Sequence, residues 1–309
     1  MQLATAFDPG YLAEQVILGL SLGAIYALIA LGYTMVYGII ELINFAHGDV
    51  FTVGAFISMT IVTIAAPIFG GVWLVPALIL LFVVTMAVNG GIGVIIERVA
   101  YRRLRNSPRL APLITAVGVS FLLEGILYIR EGPTNHHYPE LIPDIQYSVL
   151  GVSVTLKEIF VVAVALVLML ALRTFIQGTR LGKAMRATAQ DRDAAQLMGI
   201  NIDRTIATTF FIGSALAGAG GIINGLYYNN IKFDDGFQYG IIAFTSAVFG
   251  GIGNITGAAV GGFVIGLIFT LSSGYLSQQW SDVVIFSVLI LVLVLRPTGL
   301  LGMRVAEKA

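Results

Sequence analysis

Long apolar runs dominate this sequence and decide what the chain can fold into. A helix needs about 20 mostly apolar residues to cross the hydrocarbon core of a bilayer, and runs of this kind follow one another from residue 15 to residue 295. Only 11% of the 309 residues are charged and the mean hydropathy is +0.91, whereas soluble domains carry about 25% charged residues. The sequence therefore predicts an all-α integral membrane protein, a polytopic helical bundle embedded in the lipid bilayer.

The apolar runs also bound the number of crossings. The first run is long enough to be tilted or broken and the seventh is short enough to be re-entrant, so eight to ten transmembrane segments are expected. No low-complexity linker or separate soluble domain is visible, so residues 1–309 are predicted to form a single transmembrane domain. The predicted spans are Gln15–Ile40, Val50–Ile68, Val72–Ile96, Pro112–Ile129, Val154–Phe175, Thr205–Tyr228, Ile241–Ile252, Thr256–Leu276 and Val283–Leu295.

Small residues recur at four-residue spacing inside or beside several predicted spans. Gly19 and Gly23 form one such pair, and Gly253, Gly257 and Gly261 repeat the spacing near the other end of the chain. This spacing places small groups along one helix face, where a neighbouring backbone can approach closely. Tight packing within one bundle is the main interpretation, and a subunit interface or a moving wall beside a transport path is the alternative.

The basic residues indicate the orientation of the bundle. Fourteen of the 17 Lys and Arg residues lie in the segments 98–109 and 173–204 and in the tail from Arg296, and basic loops stay on the cytoplasmic side. The loops 130–157 and 229–239 then face outward. Because successive loops must alternate between the two sides of the membrane, three crossings are favoured between Tyr239 and Arg296. The C-terminus is then cytoplasmic, and the N-terminus lies outside unless the first span is broken.

The loop at about 176–204 is the most polar part of the chain. Its stretch Gly182–Met198 is rich in Ala, Met, Leu and Gln, which predicts a helix, and Gly199 is the expected helix stop. Such a helix is suited to docking a soluble partner, although a basic loop that only fixes orientation is the alternative. Small or apolar residues at helical spacing predict one soft face, formed by Ala184, Ala187, Ala194, Ala195 and Met198.

Four polar residues are candidates for a role near a transport path or in its gating. Glu124 interrupts an otherwise apolar span, where a carboxylate normally faces a cavity or bonds a polar group of another helix. Asn44, His47 and Asp49 follow the first span, and the crossing parity places them near the cytoplasmic face. They could form a metal or acid–base site, but no third ligand is near in sequence, and an interfacial turn capping the next helix explains Asn44 and Asp49 equally well.

Several kinds of chemistry are excluded or left without support. The chain has no cysteine, which rules out disulfides and thiol catalysis. Gly178–Lys183 fails as a phosphate-binding loop, because the glycine spacing is one residue short and Ala184 replaces the required Ser or Thr. No catalytic, cofactor-binding or metal site is predicted, and no nucleic-acid partner is expected. If ATP drives this protein, another chain must bind it.

Several stretches together resemble the LivH-type permease subunits of bacterial branched-chain amino acid ABC importers, over residues 15 to 303. The resemblance implies a permease domain over 1–309 with a cytoplasmic coupling loop at about 176–204, set in the bacterial inner membrane and carrying branched-chain amino acids inward. It also implies two cytoplasmic ATPase subunits that use the ATP, a second homologous permease subunit and a periplasmic amino-acid-binding protein. The stretches are SLGAIYALIALGYTMVYGIIELINFAHGD, IERVAYRRLR, GKAMRATAQDRDAAQLMGIN, AFTSAVFGGIGNITGAAVGG and LRPTGLLG.

Within the loop, residues 193–199 are similar to the E-A-A-x-x-x-G core by which importer permeases dock on their ATPases. Asp193 stands in place of the Glu, and the Leu-Pro that follows in the longer consensus is not found. The resemblance assigns ATPase coupling to Ala194, Ala195 and Gly199. Arg186 and Arg192 are expected to bridge to acidic groups at the rim of the ATPase groove.

Three other functions stay open beside this one. Related permeases for urea or short amides are built similarly. An ion-coupled secondary transporter would work without ATP, but it expects an acidic cluster or paired broken helices, and only Glu124 is seen. An intramembrane enzyme would need converging polar residues at membrane depth, whereas His47, His136 and His137 fall outside the predicted spans.

Overall fold

A computed structural model describes residues 8–65, 73–105, 107–108, 110–149 and 152–302. Helices dominate, and four short strands lie between them. A π-helical turn, Glu97–Tyr101, and a 3₁₀ turn, Arg102–Leu104, extend the third helix. The elements are α1 Pro9–Ile40, α2 His47–Ile64, α3 Leu74–Ile96, α4 Leu110–Glu131, β1 His136–His137, β2 Gln146–Val149, β3 Val152–Thr155, α5 Leu156–Gly178, α6 Arg180–Gln190, α7 Arg192–Leu197, α8 Ile202–Tyr228, β4 Asn230–Ile231, α9 Asp235–Gly250, α10 Ile255–Tyr275 and α11 Gln278–Leu295.

The all-α polytopic architecture predicted from the sequence is confirmed. Within the described ranges, eight helices are long and apolar enough to cross a membrane, namely α1 to α5, α8, α10 and α11. Each of these eight helices coincides with a span predicted from the sequence, and its ends differ from the predicted ends by a few residues. Residues 66–68 and Val72, which the predicted second and third spans included, lie outside the described residues.

Helices α1 and α8 form the centre of the bundle. In both, 78% of the most apolar window is buried inside the protein, against 17% in α4 and 11% in α11. Large apolar side chains stand exposed on the outer helices, among them Phe121 and Ile114 on α4 and Leu295 on α11. Apolar residues exposed on a spanning helix suit contact with lipid or with another membrane subunit.

Glycines let α10 pack directly on α1 and α9. A side chain at Gly262 would overlap Ala27 of α1, and one at Gly23 would overlap the backbone of Phe263. Between α9 and α10, a side chain at Gly261 would overlap the carbonyl of Ser246. The four-residue glycine spacing therefore serves packing within the bundle, as the main interpretation of the sequence predicted.

The short helix α9 lies between the loop predicted to face outward and the basic tail. It has only 16 residues and is preceded by β4, which pairs with β1 in the loop predicted to face outward. At its other end the backbone N–H of Leu301, at the start of the basic tail, donates to the carbonyl of Gly250 at 3.0 Å. Helix α9 is shorter than the eight candidate spans, and the third crossing that the charge alternation favours between Tyr239 and Arg296 stays a prediction.

The segment between α4 and α5 is a folded cap rather than an open loop. Strands β2 and β3 pair as an antiparallel hairpin, and Thr155 and Glu158 form a capping box that begins α5. Tyr138 is fully buried between this segment and the bundle, and its hydroxyl bonds the hydroxyl of Ser58 at 3.0 Å. The cap is therefore anchored to α2.

Candidate functional site

The predicted helix over Gly182–Met198 is wrong in one respect, because the structure has two helices there. The chain is extended at Asp191 (φ −157°, ψ 113°), between α6 and α7. The Asp191 carboxylate accepts a hydrogen bond from the Ala194 N–H at 3.0 Å and so caps α7. An Asp side chain that bonds nearby backbone favours a helix start over a helix interior. Gly199 ends the pair of helices with φ +83°, as predicted.

Helix α6 is held firmly against the end of α5. Its Gly182 lies so close to the backbone of Ile176 that a side chain there would overlap it. Met185 is 2% exposed, and the Arg186 guanidinium donates to the carbonyl of Ile176. Movement of α6 is therefore coupled directly to α5.

Arg192 connects the loop to the central helix. Its guanidinium donates a hydrogen bond of 2.9 Å to the carbonyl of Ile39, in the last turn of α1. Both the Arg186 and the Arg192 guanidiniums thus bond the chain's own backbone, and their expected contact with acidic groups of a partner stays a prediction. An arginine beside the carbonyls of a helix C-terminus is also a favourable electrostatic arrangement.

The outward face of α7 differs from the one that the sequence suggested. Ala195 is 3% exposed and packs inside the protein, while Ala194 and Gly199 are exposed. The fully presented apolar side chains are Leu197 and Met198, which are 88% and 83% exposed. The soft face predicted from the sequence included Met198 but missed Leu197, because two adjacent apolar residues at a helix end do not indicate which of them faces inward.

Asn44, His47 and Asp49 are all buried, and the start of α2 with His47 and Asp49 lies inside the bundle rather than at the cytoplasmic interface. His47 begins α2 and is 1% exposed, so its assignment to a region outside the spans is wrong. Its ring packs against Gly32 of α1 and lies edge-on to Tyr33 with centroids 4.8 Å apart. Because Gly32 lies eight residues before the end of α1, α2 begins about 12 Å inside that end. The turn between α1 and α2 therefore re-enters the bundle.

Two hydrogen bonds tie this re-entrant segment to its neighbours. The Tyr101 hydroxyl donates to Oδ1 of Asn44 at 2.8 Å, and the Ser120 hydroxyl donates to Oδ2 of Asp49. Asp49 is 1% exposed, and its Oδ1 has no hydrogen-bond partner from another residue in the described part of the chain. A buried carboxylate with one oxygen unsatisfied is costly and is the kind of group that functional sites retain.

Glu124 lies near Asp49, a proximity that the sequence did not indicate. It follows Ser120 by one helical turn on α4, is half-buried, and is close enough to act electrostatically on Asp49. Two carboxylates distant in sequence therefore lie within electrostatic range of each other. Within the described ranges no three His, Cys, Asp or Glu side chains converge as a metal site would require.

An apolar cavity of about 280 Å³ adjoins this polar cluster. Ser120 belongs to its wall, and so does Gly236, where an added side chain would overlap the backbone of Asp49. Its other walls come from α1, the re-entrant turn, α4 and α9. They are Tyr33, Phe45, Val117, Phe121, Phe237, Gly240 and Ile241. A cavity of this size and lining suits one small apolar side chain.

Comparison with known proteins adds to this geometry. A family model described as the permease component of the branched-chain amino acid transport system matches residues 15–293. The high-affinity branched-chain amino acid transport system permease protein LivH of Escherichia coli K12 is 45% identical over 306 residues, covering 96% of this chain and 98% of that protein. The permease protein BraD of Pseudomonas aeruginosa is 42% identical over 300 residues, with 96% and 97% covered. No solved structure gives a significant match.

Proposed function

This chain belongs to the family of branched-chain amino acid transport permease components, and we propose that it is the membrane-spanning subunit of an ABC importer that carries branched-chain amino acids into the cytoplasm. Two cytoplasmic ATPase subunits, a second homologous permease subunit and a periplasmic amino-acid-binding protein complete the proposed assembly. The chain itself binds no nucleotide in this proposal. It converts movements of the ATPases into opening and closing of a path through the membrane.

The exposed pair Leu197 and Met198 is the observation that carries the proposal. Both are almost fully exposed at the end of α7, in a loop that the basic residues place in the cytoplasm. Apolar residues so exposed beside a helix end suit insertion into a groove of another protein. Ala194 and Gly199 leave room for that partner, while Arg192 and Arg186 transmit its movement to α1 and α5.

The cavity beside Asp49 is our proposal for part of the transport path. An apolar substrate side chain would occupy the space between Phe45, Val117 and Phe237. The carboxylates of Asp49 and Glu124 would attract the ammonium group that every free amino acid carries. The re-entrant turn that contains Asn44 and His47 would act as the gate, since it directly follows the end of α1 to which Arg192 is bonded.

A reconstituted importer tests the coupling role of α7. In vesicles holding the full complex, Leu197→Asp with Met198→Asp should lower ATP-driven leucine uptake at least about tenfold, because charge would enter an apolar contact. Ile145→Asp, on the opposite side and 43% exposed, is the matched control and should keep uptake within about twofold. Unchanged uptake in the double variant, with correct membrane insertion, would contradict the proposal.

The proximity of Asp49 and Glu124 favours a second candidate, an ion-coupled transporter. Such a protein would carry substrate with a proton gradient and without ATPase chains, using the two carboxylates as the coupling site. Gentle purification separates the two candidates, since an importer subunit should bring ATPase-sized chains with it. Uptake competition among leucine, isoleucine, valine and urea then tests the substrate class, including the alternative of urea or short amides.

A further inference from the structure

The cytoplasmic ends of α3 and α8 enclose a groove that the proposed transport cycle does not use. Higher in the bundle the two helices touch, since a side chain at Gly93 would lie 2.8 Å from the carbonyl oxygen of Phe210. Below this contact they diverge and leave a cavity of about 430 Å³. Its lining residues are Val94, Glu97, Arg98, Arg102, Asn201, Asp203, Arg204, Ala207, Thr208 and Phe211.

Charge in and beside the groove is unbalanced. Asp203 is paired with Arg102 and, at 2.5 Å, with Arg105, and Glu97 is paired with Arg105. Both acids are thus already neutralised. Arg98 and Arg204 are exposed and form no ion pair with any described residue. Two guanidinium groups therefore face the groove without a counterion, and guanidinium binds phosphate with bidentate geometry.

The upper wall of the same groove is apolar and continues onto the lipid-facing surface. Phe211 of α8 is 37% exposed, and Ile95 and Val99 beside the groove are 60% and 69% exposed. The boundary between apolar helix and arginine marks the level where acyl chains meet head groups. A ligand seated here would bring an anionic group to the arginines and hydrocarbon to Phe211 and Val94.

We propose that this groove binds the head group of an anionic phospholipid from the cytoplasmic leaflet. The phosphate would lie between Arg98 and Arg204, near the N-terminus of α8, where the helix dipole adds to the positive potential. Its acyl chains would run along Val94 and Phe211. A second protein subunit is a poorer occupant, because the centre of a protein interface is depleted of unpaired charge. Basic pockets between spanning helices on the cytoplasmic side are suited to such lipids.

Native mass spectrometry of the purified transporter tests this site. Phosphatidylglycerol should be retained in preference to phosphatidylcholine, and Arg98→Gln with Arg204→Gln should weaken its binding by roughly tenfold or more. The matched control is Arg103→Gln with Arg180→Gln, which removes the same charge from exposed arginines outside the groove. The control should bind phosphatidylglycerol within about twofold of wild type.

Two further measurements make the outcome decisive. A phosphatidylglycerol with a photoreactive acyl chain should crosslink to peptides containing Val94 or Phe211, and inorganic phosphate at equal concentration should not displace it. Equal loss of binding in both double variants would overturn the proposal, as it would show a general charge effect. Displacement by phosphate alone would overturn it too, leaving a simple anion site. Matching thermal transitions of the variants show that folding is retained.

Discussion

At the scale of single residues, the bond between Ser120 and Asp49 should be measurable as stability. Among the described residues, only Ser120 donates a hydrogen bond from elsewhere in the chain to this buried carboxylate, and Ser120→Ala removes it. Leaving such a group unsatisfied costs about 1–3 kcal/mol, so the thermal transition of the detergent-solubilised protein should fall. Ser120→Thr keeps the hydroxyl and should restore most of the loss, while Ser148→Ala on the exposed hairpin should have no effect. An unchanged transition for Ser120→Ala would show that the bond contributes nothing.

The bond from Arg192 to Ile39 leads to a prediction about coupling. Arg192→Glu should leave membrane insertion intact and ATP hydrolysis active, yet lower the uptake per ATP roughly tenfold, because a charged hydrogen bond contributes about 1.5–3 kcal/mol. Reversal of Arg180, an exposed arginine on the same loop, is the control and should keep uptake near wild type. Parallel loss in both variants would indicate that the loop's overall charge matters and the contact with α1 does not.

At the scale of helices, the contact of α10 with α1 depends on the absence of a side chain. Gly262→Ala would place a methyl group against Ala27, and overpacking of this kind costs typically 1–3 kcal/mol. Gly118→Ala on α4 is the matched control, since nothing lies within 4 Å of the added carbon. We expect a lower thermal transition and less folded protein in the membrane for Gly262→Ala only. Equal stability of the two variants would argue against close packing of these helices.

The sequence predicts correctly those helices that a long apolar run is enough to identify. Hydropathy located every long span, but it could not show that the turn before His47 folds back into the bundle. A polar turn has the same hydropathy whether it is buried in the bundle or lies at the membrane surface. It also could not reveal the break at Asp191, where one side-chain hydrogen bond overrides good helix propensity. Nor could it predict that Ala195 faces inward while Leu197 faces out, which depends on packing against other helices.

At the scale of the whole molecule, pairs distant in sequence create the candidate site. Asp49 and Glu124 come from α2 and α4, and their meeting depends on how these helices pack, which residue spacing does not encode. The sequence did identify both residues as candidates, Glu124 because a charge within an apolar span is costly and Asp49 because it follows the first span beside Asn44 and His47. What it could not supply was the apolar cavity beside them, whose walls come from four separate segments.

The path of the whole chain through the membrane can be tested with introduced cysteines, because the natural sequence has none. A membrane-impermeant thiol reagent outside intact cells should label Ile145→Cys, and Leu197→Cys should react only after the cells are opened. Leu276→Cys, 61% exposed between α10 and α11, shows whether α9 and its preceding loop cross the membrane or only enter it.

If α9 and its preceding loop cross the membrane, Leu276 lies outside. This is consistent with the hydrogen bond of 3.0 Å from the Tyr11 hydroxyl, in the first turns of α1, to the carbonyl of Gly274. If α9 only dips into the bilayer, Leu276 lies in the cytoplasm and the basic tail lies outside, against the distribution of positive charge. We expect labelling of Leu276→Cys from outside, with the buried Ala243→Cys unlabelled on both sides as the control.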